Sequence, residues 1–453
     1  MNKEGGRDVH SGRGHFLYSL GAVPSALPYN MIQSYLVLFY TTNAGLTLDL
    51  AGLMLVIYGI WNAVNDPLIG YYMDKRKSTR GRRIPYIIWG TIPLTAAFVF
   101  LWWVPWTDQA AIFMHGLIML LVFDLGFTFV MTAWSALYTE MYEDEEERAS
   151  VVAVKDLLAF VSSMAGIILP PLVAGALGWP LVGVLFGVTL PMSMYASLLG
   201  SKERQEYQID EPLPIFASFK EALKNKAFMN ITVTYTLIDF MFGLTMAVLP
   251  LYSKFILGLD ESMVGFSAAG IAIGIVGAII FWRWVYAKKG PKEGLVLAII
   301  LFTAAVWPII FITDFPGLVI FAILPGFGAS GMLMTEPAMS AAIDSDEIIT
   351  GKRREAMFNG ILTLVARLSI VFTGGALIIV NLLTGFDSSA ATITPPGVVG
   401  LKFLLGGVPV IGGICTLAVF SRFPLNRGAF EKQQARLKVL HEERRARHAS
   451  KQA

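Results

Sequence analysis

The chain has 453 residues, of which 55% are apolar, 12% aromatic and 15% charged, and its mean hydropathy is +0.61. Soluble domains carry roughly 25% charged residues, so a soluble globular domain and a fibrous or disordered chain are excluded, and a membrane protein is indicated. The 35 Lys and Arg against 33 Asp and Glu leave a net charge of only +2, so the information lies in where the charges fall.

A spanning helix takes about 20 residues. Apolar runs bounded by Gly, Pro or charge clusters predict twelve helices, at 15–40, 48–73, 83–104, 111–138, 151–177, 179–199, 228–257, 261–287, 293–313, 317–343, 354–383 and 398–421. The first run is long and follows a polar stretch, which argues against a cleavable signal peptide. The second run ends in Trp61-Asn-Ala-Val-Asn-Asp66-Pro-Leu-Ile-Gly70 and leads into a basic loop with Lys75, Arg76, Lys77, Arg80, Arg82 and Arg83. The fourth holds Asp124, Val130 and Trp134 and is followed by the acidic run Glu140–Glu147. Asp156 lies near the start of the fifth.

The longest polar stretch inside the apolar region follows the sixth helix. It divides the chain into an N-terminal six-helix half, 1–199, a linker, 200–227, a C-terminal six-helix half, 228–423, and a basic tail, 424–453. In the second half Asp239 lies roughly 16 Å along the seventh helix, near midplane at 1.5 Å per residue. Glu336 sits on the tenth helix and Arg367 within the eleventh. The loops after the second and fourth helices echo those after the eighth and tenth, and the loops after the second, sixth, eighth and tenth are basic, whereas the opposite loops hold only Lys254 and Lys402. By the positive-inside rule both termini are cytoplasmic, as in a multi-pass cell-membrane protein. Duplicated halves with a substrate between them describe a large class of secondary transporters.

Other chemistries find little support. A single cysteine, Cys415, allows no internal disulfide or thiolate cluster, and the five histidines show no paired metal-ligand spacing. Neither an enzyme nor a resident metal or cofactor is expected. Gly326-Phe-Gly-Ala-Ser-Gly331 has the spacing of a dinucleotide loop but lies inside an apolar helix, where small-residue packing explains it better. The tail reads as an amphipathic helix on the membrane surface rather than as a nucleic-acid contact.

The segment Trp61–Gly70 with the loop ending Gly81-Arg-Arg-Ile-Pro-Tyr86 resembles the second-helix signature of the glycoside-pentoside-hexuronide:cation symporters, a branch of the major facilitator superfamily that includes sugar permeases and lysolipid carriers. Trp134-Ser-Ala-Leu, Leu251-Tyr-Ser-Lys-Phe-Ile-Leu-Gly258 and Asp346–Glu355 agree in order and spacing. The resemblance implies an all-α fold of twelve transmembrane helices in two six-helix halves, and cation-coupled symport of a glycoside or sugar-derived solute by alternating access. It breaks where the family's sugar carriers have acidic residues: Asn62 replaces the first aspartate of the second-helix pair, Val130 replaces an aspartate before Trp134, and Ser25 and Ala26 stand at a Lys-Asp pair. Those losses leave a lysolipid or other amphiphilic anion as the alternative substrate.

Ionisable groups in the bilayer cost about 2.5–3.5 kcal/mol each on insertion scales and are functional candidates by default. Asp66, one turn from Asn62, is the expected coupling carboxylate. With one carboxylate of the pair lost, the expected ion is H⁺, with Na⁺ as the alternative. Arg367, in Thr363-Leu-Val-Ala-Arg367, resembles a family lysine that faces the cation site, and it can grip a carboxylate or phosphate in two parallel hydrogen bonds. Arg367, Asp239, Asp124, Trp134, Tyr29 and Thr363 are the expected substrate-binding residues. Asp124 lies about 240° around its helix from Val130, at 100° per residue, and so does not simply replace the family's aspartate. Asp74, Arg80, Arg82 and Arg83 resemble the superfamily's gating loop, with Glu140–Glu147 as partner. The expected partners are a small-molecule substrate and membrane lipids, with no nucleic acid, and the protein is expected to be a monomer.

Overall fold

In hydrocarbon a chain has to close its backbone hydrogen bonds within itself, and a helix does so segment by segment. The computed structural model describes residues 9–75, 83–142, 144–203, 222–351, 355–387 and 393–452, and among them there is no strand. The helices are α1 (Gly12–Ser19), α2 (Ala22–Thr42), α3 (Leu48–Lys75), α4 (Ile84–Leu101), α5 (Gln109–Met141), α6 (Glu145–Leu177), α7 (Trp179–Leu199), α8 (Lys226–Phe255) and α9 (Glu261–Val264). They continue with α10 (Ala269–Lys289), α11 (Pro291–Val306), α12 (Phe315–Leu333), α13 (Glu336–Thr350), α14 (Glu355–Ala366), α15 (Leu368–Thr384), α16 (Pro395–Lys402), α17 (Val408–Phe420) and α18 (Arg427–Gln452).

Eleven stretches among the described residues are long and apolar enough to cross a bilayer, beginning with Leu48–Gly70 and ending with Pro395–Phe420. The first predicted run, 15–40, is instead divided between α1 and α2 at Leu20 and Gly21. Gly21 lies so close to the indole of Trp134 that a Cβ there would sit 2.2 Å from Nε1. The 21 residues of α2 also include Ser25, Tyr29, Asn30, Gln33 and Ser34, which lower its hydropathy. Later runs are interrupted as well. The break between α12 and α13 precedes Glu336-Pro337, where proline is placed in the first turn of the new helix. The break between α14 and α15 falls at Arg367 itself, and no Gly or Pro is there to explain it.

By contact the chain groups into two units. Unit 1 consists of Met1–Leu213, Met246–Ala268 and Ile370–Leu401, and unit 2 of Pro214–Thr245, Ala269–Ser369 and Lys402–Ala453. Helices in lipid gain little from hydrophobic burial against one another, so close backbone approach at small residues carries much of the packing. In unit 1, α5 packs on α3 and α4, and α2 packs on α6. There α3 and α15 cross at Gly52 and Gly374, where a Cβ on Gly374 would lie 2.4 Å from the Gly52 carbonyl. Asn381 donates to Asp49 at 3.1 Å beside that crossing. In unit 2, α12 packs against both α10 and α11. A Cβ on Gly326 would meet the Ile271 carbonyl at 2.3 Å, one on Gly328 the Phe302 nitrogen at 2.5 Å, and one on Gly331 the Trp282 ring at 2.6 Å. The Gly326–Gly331 motif is therefore a two-sided helix-packing surface.

Candidate functional site

Tyr58, Asn62, Asn65 and Asp66 recur at helical spacing along α3 and share one face. Asp124 and Thr128, one turn apart on α5, meet that face, because α3 packs on α5. Asn62 Nδ2 donates to Asp124 Oδ1 at 2.5 Å, and Asn65 Nδ2 donates to Asp124 Oδ2 at 3.0 Å. The Tyr58 hydroxyl lies 3.1 Å from Asn62 Nδ2 and 3.4 Å from Asp124 Oδ1. Thr128 Oγ1 accepts from Asn65 at 3.1 Å and donates to Asp66 Oδ1 at 2.8 Å. Two carboxylates, two amides and two hydroxyls thus form one continuous network.

The network is largely closed to solvent, with Asp66 half-buried at its end. Asp124 is 2% exposed, Asn62 3%, and Asn65 and Thr128 4% each. Within it the Asn62 Oδ1 is buried and accepts no hydrogen bond, although a buried polar atom left without a partner costs about 1–3 kcal/mol. An orphaned carbonyl oxygen beside a doubly donated carboxylate is a place where a small cation fits. The two amide N–H groups that face Asp124 supply the positive character that the cation would bring, and turning the Asn62 amide would exchange its N–H for the oxygen. Oxygen-rich sets with carboxylate charge suit hard cations.

The sequence singles out Asp66, Asn62 and Asp124 in this network but not Asn65 or Thr128. It assigns Asp124 to the substrate rather than to the Asp66 and Asn62 pair, because angular position on one helix does not reveal which face the neighbouring helix presents. The signal available in the sequence is the four-residue step from Asp124 to Thr128.

A second cluster, around the half-buried carboxylate of Asp239, lies in unit 2. Ser369, the second residue of α15, donates to Asp239 Oδ2 on α8 at 2.5 Å. The Arg367 guanidinium acts electrostatically on Asp239 and on Tyr235, one turn earlier on α8. Arg367 therefore stands at a helix interruption within electrostatic range of a carboxylate and a phenol. Thr363 is exposed and its hydroxyl donates to the Asn359 carbonyl of its own helix at 3.0 Å. Tyr29 is half-buried on α2.

Trp134 is packed rather than presented. It is 6% exposed, its indole N–H donates to Ser197 Oγ at 3.0 Å, and its ring stacks on Tyr18 with centroids 5.0 Å apart. Tyr18 also donates to the Trp134 carbonyl at 3.0 Å. Of the expected gating residues, Arg80 and Arg82 lie outside the described residues, as does the side chain of Asp74. Arg83 pairs with Glu140, Nε to Oε1, at 3.5 Å, and its backbone N–H donates to Glu203 at 3.0 Å. At the other end of the acidic run Glu147 Oε1 holds His10 at 2.7 Å and His15 at 2.9 Å.

Against this geometry, residues 17–427 match the family described as MFS/sugar transport protein. The chain belongs to that family. It is accordingly a transporter rather than an enzyme, of the glycoside-pentoside-hexuronide symporter type. An uncharacterized symporter of Bacillus subtilis, YjmB, is 24% identical over 422 residues, 89% of each chain. The sodium-dependent lysophosphatidylcholine symporter 1 of Gallus gallus is 21% identical over 479 residues, 94% of this chain and 89% of that one. An uncharacterized symporter of Synechocystis, sll1374, is 30% identical over 205 residues, 43% of this chain and 38% of that one. Among solved structures, one reporting substrate recognition in proton dependent oligopeptide transporters has a TM-score of 0.66 at 14% identity, covering 93% of this chain and 99% of that one. That likeness concerns the fold alone.

Proposed function

We propose that the protein is a cation-coupled symporter in which Asn62, Asn65, Asp66, Asp124 and Thr128 hold the coupling ion, and that the ion is Na⁺. The orphaned Asn62 carbonyl inside a network of two carboxylates carries this reading. The case for H⁺ rested on a single carboxylate, and Asp124 removes that premise by supplying a second. Alternating access between two six-helix halves, twelve spans in all and both termini cytoplasmic, is the transport cycle consistent with the charge distribution. In it Arg83 and Glu140 belong to the cytoplasmic gate.

The substrate we assign first is a glycoside or sugar-derived solute, met by Asp239, Ser369 and Arg367. A guanidinium beside a carboxylate offers both donors and acceptors to hydroxyls and to an acid group. A second reading, an amphiphilic anion such as a lysolipid, is favoured by one observation: Tyr18 covers Trp134, so that ring is not open to stack on a sugar. Proteoliposomes loaded against imposed Na⁺ or pH gradients, challenged with labelled glycosides, sugar acids and lysophospholipids, test both parts. Uptake of a sugar-derived solute that concentrates only with an inward Na⁺ gradient supports the first reading. Accumulation of lysophospholipid alone transfers the assignment to the second, and gradient-independent leakage of every solute defeats both.

A further inference from the structure

Cations gather where three spanning stretches of unit 2 end. The stretch Glu261–Lys289 finishes at Lys288 and Lys289, Pro291–Phe311 begins beside Lys292, and Pro395–Phe420 finishes just before Arg422. These ends are tied together. Lys292 Nζ donates to the Ser421 carbonyl at 2.9 Å and to the Phe423 carbonyl at 2.5 Å. Arg427, at the start of α18, donates its backbone N–H to Glu293 at 3.3 Å and a guanidinium N–H to the Lys288 carbonyl. Its remaining charge is met by Glu431 at 2.9 Å. Further along α18, Gln433 donates to the Ala341 carbonyl at 2.6 Å and Gln434 to Asp344 at 3.1 Å, which fixes the helix against α13.

The hydrogen-bonded cations, Lys292 and Arg427, are thus structural, and three further cations at these ends carry no such bonds. Lys288, Lys289 and Arg422 are exposed and make no ion pair among the described residues. Lys288 Nζ lies over the Trp284 ring, 4.5 Å from its centroid, and Trp284 is itself 52% exposed. An exposed tryptophan one turn below a lysine, at the end of a spanning helix, is the pattern of a side chain held at headgroup depth. Three uncompensated cations at that depth face the phosphate layer of a bilayer, where each basic residue near the surface adds to the attraction for acidic lipid.

We propose that Lys288, Lys289 and Arg422, with Trp284 as the interfacial anchor, form a docking surface for the headgroup of an anionic phospholipid. The phosphate and its extra negative charge lie among the three cations, and the glycerol backbone rests against the indole. Lys292, Arg427 and α18 hold the three ends in register, and Lys292, bonded to backbone carbonyls, adds its charge to the surface. This surface is independent of the ion and substrate sites and of the transport reading given to them.

The test uses purified full-length protein in nanodiscs or detergent, with phosphatidylglycerol and phosphatidylcholine of identical acyl chains as probes. Native mass spectrometry and thermal melting report retained lipid and stabilisation, each protein compared with its own phosphatidylcholine baseline. The wild type is expected to retain phosphatidylglycerol preferentially and to melt at higher temperature in it, with the preference falling as salt is raised. Each of Lys288→Gln, Lys289→Gln and Arg422→Gln is expected to lower that affinity about fivefold, the effect of one surface cation. Trp284→Leu, which keeps the charges, is expected to weaken retention of both lipids. Equal retention of the two lipids by the wild type, or an undiminished preference in the triple Gln variant, overturns the proposal. So does full reproduction of the stabilisation by inorganic phosphate alone.

Discussion

Asn62 donates to Asp124 across 2.5 Å while its own carbonyl oxygen is buried and accepts nothing. The amide therefore holds the carboxylate without completing its own hydrogen bonding, an arrangement that a bound cation would resolve. Replacing Asp124 by Asn removes one charge and sets amide against amide. Hydrogen bonds to a charged group contribute about 1.5–3 kcal/mol, so Asp124→Asn is expected to lose about 3 kcal/mol of stability. It should also raise the Na⁺ concentration for half-maximal uptake at least about tenfold, which is about 1.4 kcal/mol of site energy. Uptake titrated with Na⁺ in proteoliposomes reads the second effect, and an unchanged midpoint would remove Asp124 from the ion site.

Asp66 reaches the same network from the other end, through Thr128 Oγ1 at 2.8 Å. Asp66→Asn is expected to abolish uphill accumulation and leave some downhill exchange, because substrate binding persists while coupling does not. Thr128→Val, which removes the hydroxyl that bridges Asn65 and Asp66, should weaken coupling less. Accumulation ratios at equal protein level separate the three proteins, and wild-type accumulation by Asp66→Asn would end its role as the coupling group.

The helical fold and most spans are legible from apolar run length, Asp66 stands out as a charge in an apolar helix, and Asn62 as its polar neighbour one turn away. The long-range partners are not. Whether Asp124 faces α3 depends on how α3 and α5 cross, and periodicity along α5 alone cannot report that crossing. Trp134 shows the same limit: its sequence context suits a binding aromatic, and nothing in it announces that Tyr18, more than a hundred residues away, stacks on the ring. The interruption at Arg367 carries no Gly or Pro signal at all, whereas the one before Glu336 is announced by Pro337.

Ser369 and Arg367 flank one residue of α15 and both act on Asp239. Arg367→Ala leaves a carboxylate in the membrane with less positive charge nearby and is expected to abolish binding of an acidic substrate. Arg367→Lys keeps the charge but loses the planar fork, so a substrate gripped bidentately should bind about tenfold more weakly. Ser369→Ala, with the charge intact, is expected to have a smaller effect. Substrate affinities of the three variants by competition uptake check the order, and equal affinity in all of them would sink the assignment.

Gly274 and Gly326 let α10 and α12 approach until a Cβ on Gly274 would stand 2.2 Å from the Ile323 carbonyl. Backbone cannot yield there as a flexible side chain can. Gly274→Val is expected to push the helices apart and destabilise the protein by about 3 kcal/mol or more, beyond ordinary overpacking. Gly277→Ala, on the same helix but with open space at its Cβ, should be near neutral. Melting temperatures in detergent compare the two, and similar stability would show that the close crossing does not carry packing.

The identity of the ion rests on the charge assembled around Asn62. Restoring an acid, Asn62→Asp, sets a third carboxylate beside Asp124 and Asp66. Carboxylates that close do not all stay ionised without a cation among them. The variant should therefore bind Na⁺ more tightly in alkaline buffer and, as the medium is acidified, take up a proton in competition with it. The wild type, with two carboxylates and amide oxygens available, should follow an imposed Na⁺ gradient with little response to a pH gradient. Uptake measured against each gradient separately, for both proteins, decides the matter. If the wild type follows the pH gradient and ignores Na⁺, the network around Asn62 is a proton relay, and the buried carbonyl has some other cause.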